Sequence, residues 1–137
     1  MHGFKGERTL MRIHSGERDK YHGKPLYQAI VDLLRQRHFA GCTVLRAIMG
    51  FGASSKIRSD RLEVLSLDLP IVIECVETDE NIGAVLPLLD EMIGGGLITL
   101  ERAKVIMYRP DLPADRRPES WPIDITGSWE RAEPNGS

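Results

Sequence analysis

Two stretches of helical periodicity, each set between segments that alternate apolar and polar residues, leave this chain few folds. In the second stretch Ile82, Val85, Leu86, Leu89, Met92 and Ile93 recur at helical spacing, which puts all six on one face of an amphipathic helix. Thr78 or Asp79 supplies an N-cap, and Gly94-Gly95-Gly96 ends the run. Pro87 lies inside it, and because proline has no N–H to donate it is expected to kink the helix or split it. The first stretch carries Leu26, Ile30, Leu33 and Leu34. It begins at Pro25, which suits a first helical turn. Gly41 is the expected C′ residue, with Arg37 and His38 in the last turn, where positive charge suits the helix dipole.

The extended segments frame these helices. Glu7–His14 sets Thr9, Met11 and Ile13 against Arg8, Leu10, Arg12 and His14. Cys42–Met49 sets Thr43, Leu45, Ala47 and Met49 against Val44, Arg46 and Ile48. Asp68-Leu69-Pro70 marks a turn into Ile71–Val76, after a short extended return at Arg61–Leu67. Leu97–Tyr108 is the last strand region, broken by Glu101-Arg102. Ser15–Lys24 is polar and reads as a loop. The order is β–α–β–β–α–β. That is the α+β, ferredoxin-like arrangement: a four-stranded antiparallel sheet with two helices on one face. The second and third strands form a hairpin with Gly50–Asp60 at its tip.

Composition narrows the class. The hydrophobic residues are 42 % of the chain, enough for a real core, and the 18 basic and 20 acidic residues give a net charge of −2. That balance argues against a dedicated nucleic-acid binder, which presents a basic surface. No apolar run approaches the ~20 residues of a membrane span, and Met1–Glu7 has no secretory h-region. Cys42 and Cys75 have no CxxC spacing and read as buried, reduced thiols of a cytoplasmic protein. Residues 1–108 make the domain. Arg109–Ser137 forms a separate C-terminal arm with five of the eight prolines and both tryptophans, Trp121 and Trp129. Proline excludes regular structure there, while the tryptophans favour an arm docked on its own or a neighbouring subunit over a free tail. The arm holds four arginines against six acids, so the whole net charge lies in it and the domain is balanced.

The sheet pattern bears on assembly. Whichever strand face meets the helices, the other still carries branched aliphatics such as Val44, Ile48, Val72 and Val76. An exposed apolar face marks an interface. The expectation is an oligomer whose sheets pack together; the alternative is a monomer with its tail over that face.

Several runs, in order, resemble one family. They are Gly23-Lys24-Pro25-Leu26-Tyr27, Thr43 through Gly52, Asp68-Leu69-Pro70-Ile71-Val72-Ile73-Glu74, and Leu97-Ile98-Thr99-Leu100-Glu101. Over about Glu7 to Tyr108 the chain resembles the domain of unknown function 190 family, which is similar in fold to the PII signalling proteins. The resemblance implies a homotrimer that binds a small anionic effector, often a nucleotide, in clefts between subunits. It also implies a loop after the second strand, the T-loop, that reports the bound state to a partner protein. The T-loop position here is Gly50–Asp60, and the loop contributing to the cleft corresponds to Thr99–Lys104. Two features of PII proteins are missing: Glu101-Arg102-Ala103 replaces their glycine-rich phosphate loop, and Gly50–Asp60 contains no tyrosine.

The ligand-binding candidates follow. In Gly50, Phe51, Gly52, Ser54, Ser55, Lys56 and Arg58, glycines let the backbone approach a ligand, successive N–H groups can form an anion nest, and the polar side chains add donors. The plain alternative is a solvated hairpin loop. Arg102 and Lys104 are placed to meet an anion from a neighbouring subunit; the alternative is a β-bulge with a surface ion pair. Arg12 and Arg46 are expected to pair with Glu74. No GxGxxG, Walker A, catalytic triad order or nucleophile elbow is present, so the expectation is a non-enzymatic binding protein without a cofactor. A second class is a divalent-cation tolerance or structural trimer, with His14, His22, Cys42 and Cys75 as ligands. The spacing gives no convergent set of the three or four ligands a metal needs.

Overall fold

The computed structural model describes residues 4–52 and 68–108. Eight elements follow one another: β1 (Phe4–Gly16), β2 (Lys20–Tyr21), β3 (Lys24–Pro25), α1 (Leu26–Gln36), β4 (Thr43–Arg46), β5 (Pro70–Glu77), α2 (Asp79–Met92) and β6 (Leu97–Tyr108). The main sheet runs β4-β5-β1-β6. This is the expected α+β architecture, a four-stranded antiparallel sheet with two helices. The described residues fall into two compact units, one within Thr9–Glu101 and one made by the chain ends, residues 4–8 with 102–108. The expected C-terminal arm and the return at Arg61–Leu67 lie outside the described residues.

Strand register explains the core. Met11 opposes Cys75 and Ile13 opposes Ile73 across β1 and β5. Odd-numbered residues of both strands therefore share one face, and Met11, Ile13, Ile71, Ile73 and Cys75 are all buried. Leu26, Ile30 and Leu34 of α1 and Ile82, Val85 and Leu89 of α2 complete the cluster. Each such side chain contributes about 1.5–3 kcal/mol on burial.

The helix ends differ from expectation in informative ways. Thr78 caps α2, its hydroxyl accepting from the Asn81 N–H at 3.2 Å. α2 is not split at Pro87. Pro87 is exposed, so the carbonyl that loses a donor there is open to water. At the end of α1 the left-handed residue is His38, φ 60°, rather than Gly41. The His38 N–H donates to the Arg35 carbonyl and the Phe39 N–H to the Leu34 carbonyl. These are the two bonds of a Schellman motif, closed by contact between the flanking apolar residues. Phe39 and Leu34 both belong to the core, and that packing offsets the strain of a non-glycine residue in this conformation.

Ser15–Lys24 is more ordered than a plain loop. Tyr21 pairs with Lys24, and His22 and Gly23 between them both have positive φ, as a type I′ hairpin turn requires. Gly16 and Arg18 are held through their N–H groups by Asp19 and Asp68 respectively. Gly96 opens β6 where a Cβ would meet the His14 carbonyl oxygen at 2.6 Å, so only glycine fits that approach.

Candidate functional site

The exit of β4 is the first feature. β4 covers only Thr43–Arg46 rather than the whole of Cys42–Met49. The Ala47 N–H still donates to the Pro70 carbonyl at 2.9 Å, carrying the ladder one residue further. Beyond it the chain leaves β5 and turns its apolar side chains to water: Ile48, Met49 and Phe51 are 97, 82 and 71 % exposed. At Gly50 a Cβ would lie 3.0 Å from Pro70 Cγ, so a side chain there would press on the start of β5. Of the expected anion loop, Gly50, Phe51 and Gly52 are therefore placed at the mouth of the β4–β5 connection. Ser54, Ser55, Lys56 and Arg58 lie outside the described residues.

The sheet face away from the helices is the second. Register puts Thr43 and Leu45 of β4 beside Glu74 and Val72 of β5. Arg12 and His14 of β1 lie opposite Glu74 and Val72 on the other side. Arg12 Nε donates to Glu74 Oε1 and Arg12 Nη1 to Glu101 Oε1, each at 2.9 Å. The hydrogen bond to Glu74, ahead of the Glu101 charge, raises the Arg12 pKa against the pull of desolvation. The expected Arg12–Glu74 pair is thus present. Arg46 takes no part in it: opposite Ile71 it belongs to the helix-facing set, and it donates instead to Glu17 Oε1 at 2.8 Å. That bond raises the Arg46 pKa.

Arg102 and Lys104 belong to the unit made by the chain ends. Thr99–Lys104 is not a loop, since β6 runs unbroken from Leu97 to Tyr108. β6 is an edge strand, and an edge keeps charged side chains solvated without breaking the strand. Within this unit Arg102 Nη2 lies 3.7 Å from Glu7 Oε2.

The residues considered as metal ligands are not brought together as one set. His14 opposes Val72 on the outer face, whereas Cys75 lies in the helix-facing core. Among the described residues no three His, Cys, Asp or Glu side chains converge.

Sequence reasoning missed Glu77. It is buried, and its carboxylate accepts from the Ala40 N–H, the Thr78 N–H and Asn81 Nδ2 at 2.9, 3.0 and 3.1 Å. It thereby ties the exit of α1 to the start of α2. Thr9 of β1 donates to Asp79 at the same helix start. The only signal was an acid in phase with the apolar side of β5.

A family model, DUF190, described as an uncharacterized ACR, matches residues 8–105. The chain belongs to the DUF190 family. This DUF190 chain is 37 % identical over 102 residues to a UPF0166 protein of Aquifex aeolicus strain VF5, covering 73 % of this chain and 94 % of the relative. It is 38 % identical over 92 residues to a UPF0166 protein of Methanocaldococcus jannaschii, covering 66 % of this chain and 84 % of the relative. Among solved structures it is similar to a Thermus thermophilus protein described as a "putative PII-like signaling protein". The TM-score is 0.52 at 19 % identity, over 77 % of this chain and 93 % of the other. That likeness establishes the PII-like fold. Among the described residues no helix is long and apolar enough to cross a membrane.

Proposed function

We propose that this DUF190 protein is a PII-like regulatory protein. Its homotrimer binds a small anionic effector, with nucleotides the first class to test, in clefts between subunits. Occupancy is passed to a partner protein through the loop that begins at Gly50. The observation that carries this reading is the exposure of Ile48, Met49 and Phe51 at the start of that loop. Burying a large apolar side chain is worth about 1.5–3 kcal/mol, so three within four residues at a loop mouth make a docking segment. The family resemblance supplies the rest: the trimer, the cleft, and the contributions of Ser54, Ser55, Lys56, Arg58, Arg102 and Lys104 to the anion.

Calorimetry and thermal shift against adenine nucleotides and cyclic dinucleotides test the effector. Sedimentation velocity tests the assembly. A saturable rise in melting temperature with one member of the panel, lost in Lys56→Ala or Arg102→Ala, is the expected result. A monomer that responds to no member overturns the reading.

A further inference from the structure

The two cysteines, 33 positions apart in sequence, meet across the sheet. β4 and β5 are antiparallel, and Thr43 opposite Glu74 is the end pair of the ladder; continuing that register by one residue sets Cys42 toward Cys75. The kind of pair follows from the hydrogen bonds. The Ala47 N–H donates to the carbonyl of Pro70, its register partner, which makes that a hydrogen-bonded pair. Hydrogen-bonded and non-hydrogen-bonded pairs alternate along an antiparallel ladder. Counting back from Ala47, the pairs of Leu45 and Thr43 are hydrogen-bonded, and those of Arg46, Val44 and Cys42 are not. In a non-hydrogen-bonded pair the Cα atoms stand about 4.5 Å apart with side chains turned toward each other. That lies within the roughly 4.4–6.8 Å a disulfide spans. Both cysteines are free thiols; Cys75 is in the core, and Cys42 is half-buried and packs against it.

We propose that Cys42 and Cys75 form a reversible thiol–disulfide site. It is oxidised by a small-molecule disulfide and ties the start of β4 to β5. Cys42 is the entry sulfur because it is the more accessible. Its thiolate attacks one sulfur of the small disulfide. A Cys42 mixed disulfide forms, the original S–S bond breaks, and the departing thiolate takes up a proton. Cys75 then loses its proton to solvent and attacks the Cys42 sulfur. The protein disulfide forms and the second small thiolate leaves and is protonated. Two protein thiols are oxidised and one small disulfide is reduced to two thiols.

The electrostatics agree with this division of labour. Burial, then the neighbouring charge of Cys42, pushes the Cys75 thiol up to about 12, so the two groups sense each other. Burial also raises the Cys42 thiol, and the Arg35 charge offsets part of that rise. Attack through the thiolate therefore begins at Cys42. The bond would fix the end of β4 that enters the sheet, opposite the end that releases Ile48 and Met49. This inference stands independently of the effector proposal.

The test is to incubate the reduced full chain with excess oxidised glutathione and follow it by intact mass, free-thiol titration, non-reducing electrophoresis and peptide mapping. The expected product is a chain lighter by two hydrogens, with no free thiol, no covalent dimer, and Cys42 and Cys75 in one linked peptide. Cys75→Ala should retain one glutathione on Cys42, and Cys42→Ala should react far more slowly. Backbone hydrogen exchange over 43–46 should slow in the oxidised chain. A stable mixed disulfide in the unaltered chain, glutathione on both cysteines, a chain-to-chain disulfide, or no reaction overturns the proposal.

Discussion

The two faces of the same sheet are held by different physics. On the helix side, Met11, Ile13, Ile71, Ile73 and Cys75 pack against α1 and α2 and are dry. On the other side the same two strands present Arg12, His14, Val72, Glu74 and Val76, all half-buried in the single chain. There an arginine between two carboxylates takes the central place. A one-residue alternation thus separates a surface completed within the chain from one that mixes aliphatic side chains with an ion pair. Stability resides in the first.

Mutations that act on one face and spare the other break this contrast. The largest effect is expected for Ile73→Ala, which opens a cavity in the core and should cost about 2–5 kcal/mol in denaturant unfolding. Val72→Ala, one residue away on the outer face, should cost far less in the same measurement. Glu77→Ala comes next. It strands the Ala40 and Thr78 N–H groups, and about 1–3 kcal/mol should be lost, with faster hydrogen exchange at Ala40 in the α1–β4 connection and at Thr78 before α2. Alkali probes the same dry face. The Cys75 thiol rises from 9.0 to about 12 on folding, so the folded chain holds a proton that the unfolded chain has lost between those values. Stability from this group is present below pH 9 and falls as pH climbs toward 12. A Cys75→Ala chain should lose that part of its alkaline slope.

Arg12→Ala should cost less than Glu77→Ala, because the ion pairs are partly solvated. The loss should shrink further in 1 M salt, read as the difference between unfolding midpoints at low and high ionic strength. Smallest in stability is Phe51→Asp, expected within about 0.5 kcal/mol of the unaltered chain. Its effect should appear in partner capture instead. If Phe51→Asp destabilises the chain as Ile73→Ala does, the segment is part of the core and the contrast fails.

The parts legible in the sequence were those set by local periodicity. Ile82 through Ile93 announced α2, Thr78 or Asp79 its cap, and the alternation of Thr9, Met11 and Ile13 with Leu10 and Arg12 the strand β1. Those signals need only a neighbour one or one-and-a-half turns away. Gly41 misled because glycine is the usual left-handed residue, whereas the packing of Phe39 on Leu34 moved the turn to His38. Arg46 misled because its face depends on pairing with β5, which no local pattern reports. Of the candidate site, Gly50–Gly52 was legible as a break in the alternation. The charged positions Arg102 and Lys104 were legible as candidates, but not as part of a continuous edge strand.

By itself the sequence determined the order of elements, the apolar stripes of α1 and α2 and the fold class, because each rests on residue spacing along the chain, while the family rests on the likeness of whole runs such as Asp68 through Glu74. Only the tertiary structure decided which charges meet. It joined Arg12 with Glu74 and Glu101, Arg46 with Glu17, and Glu77 with the two connections it spans. It also decided that Cys42 packs against the core that holds Cys75. Register is a relation between strands, fixed when the helix face is buried, and a single residue's slip would turn every one of these side chains to the other side of the sheet.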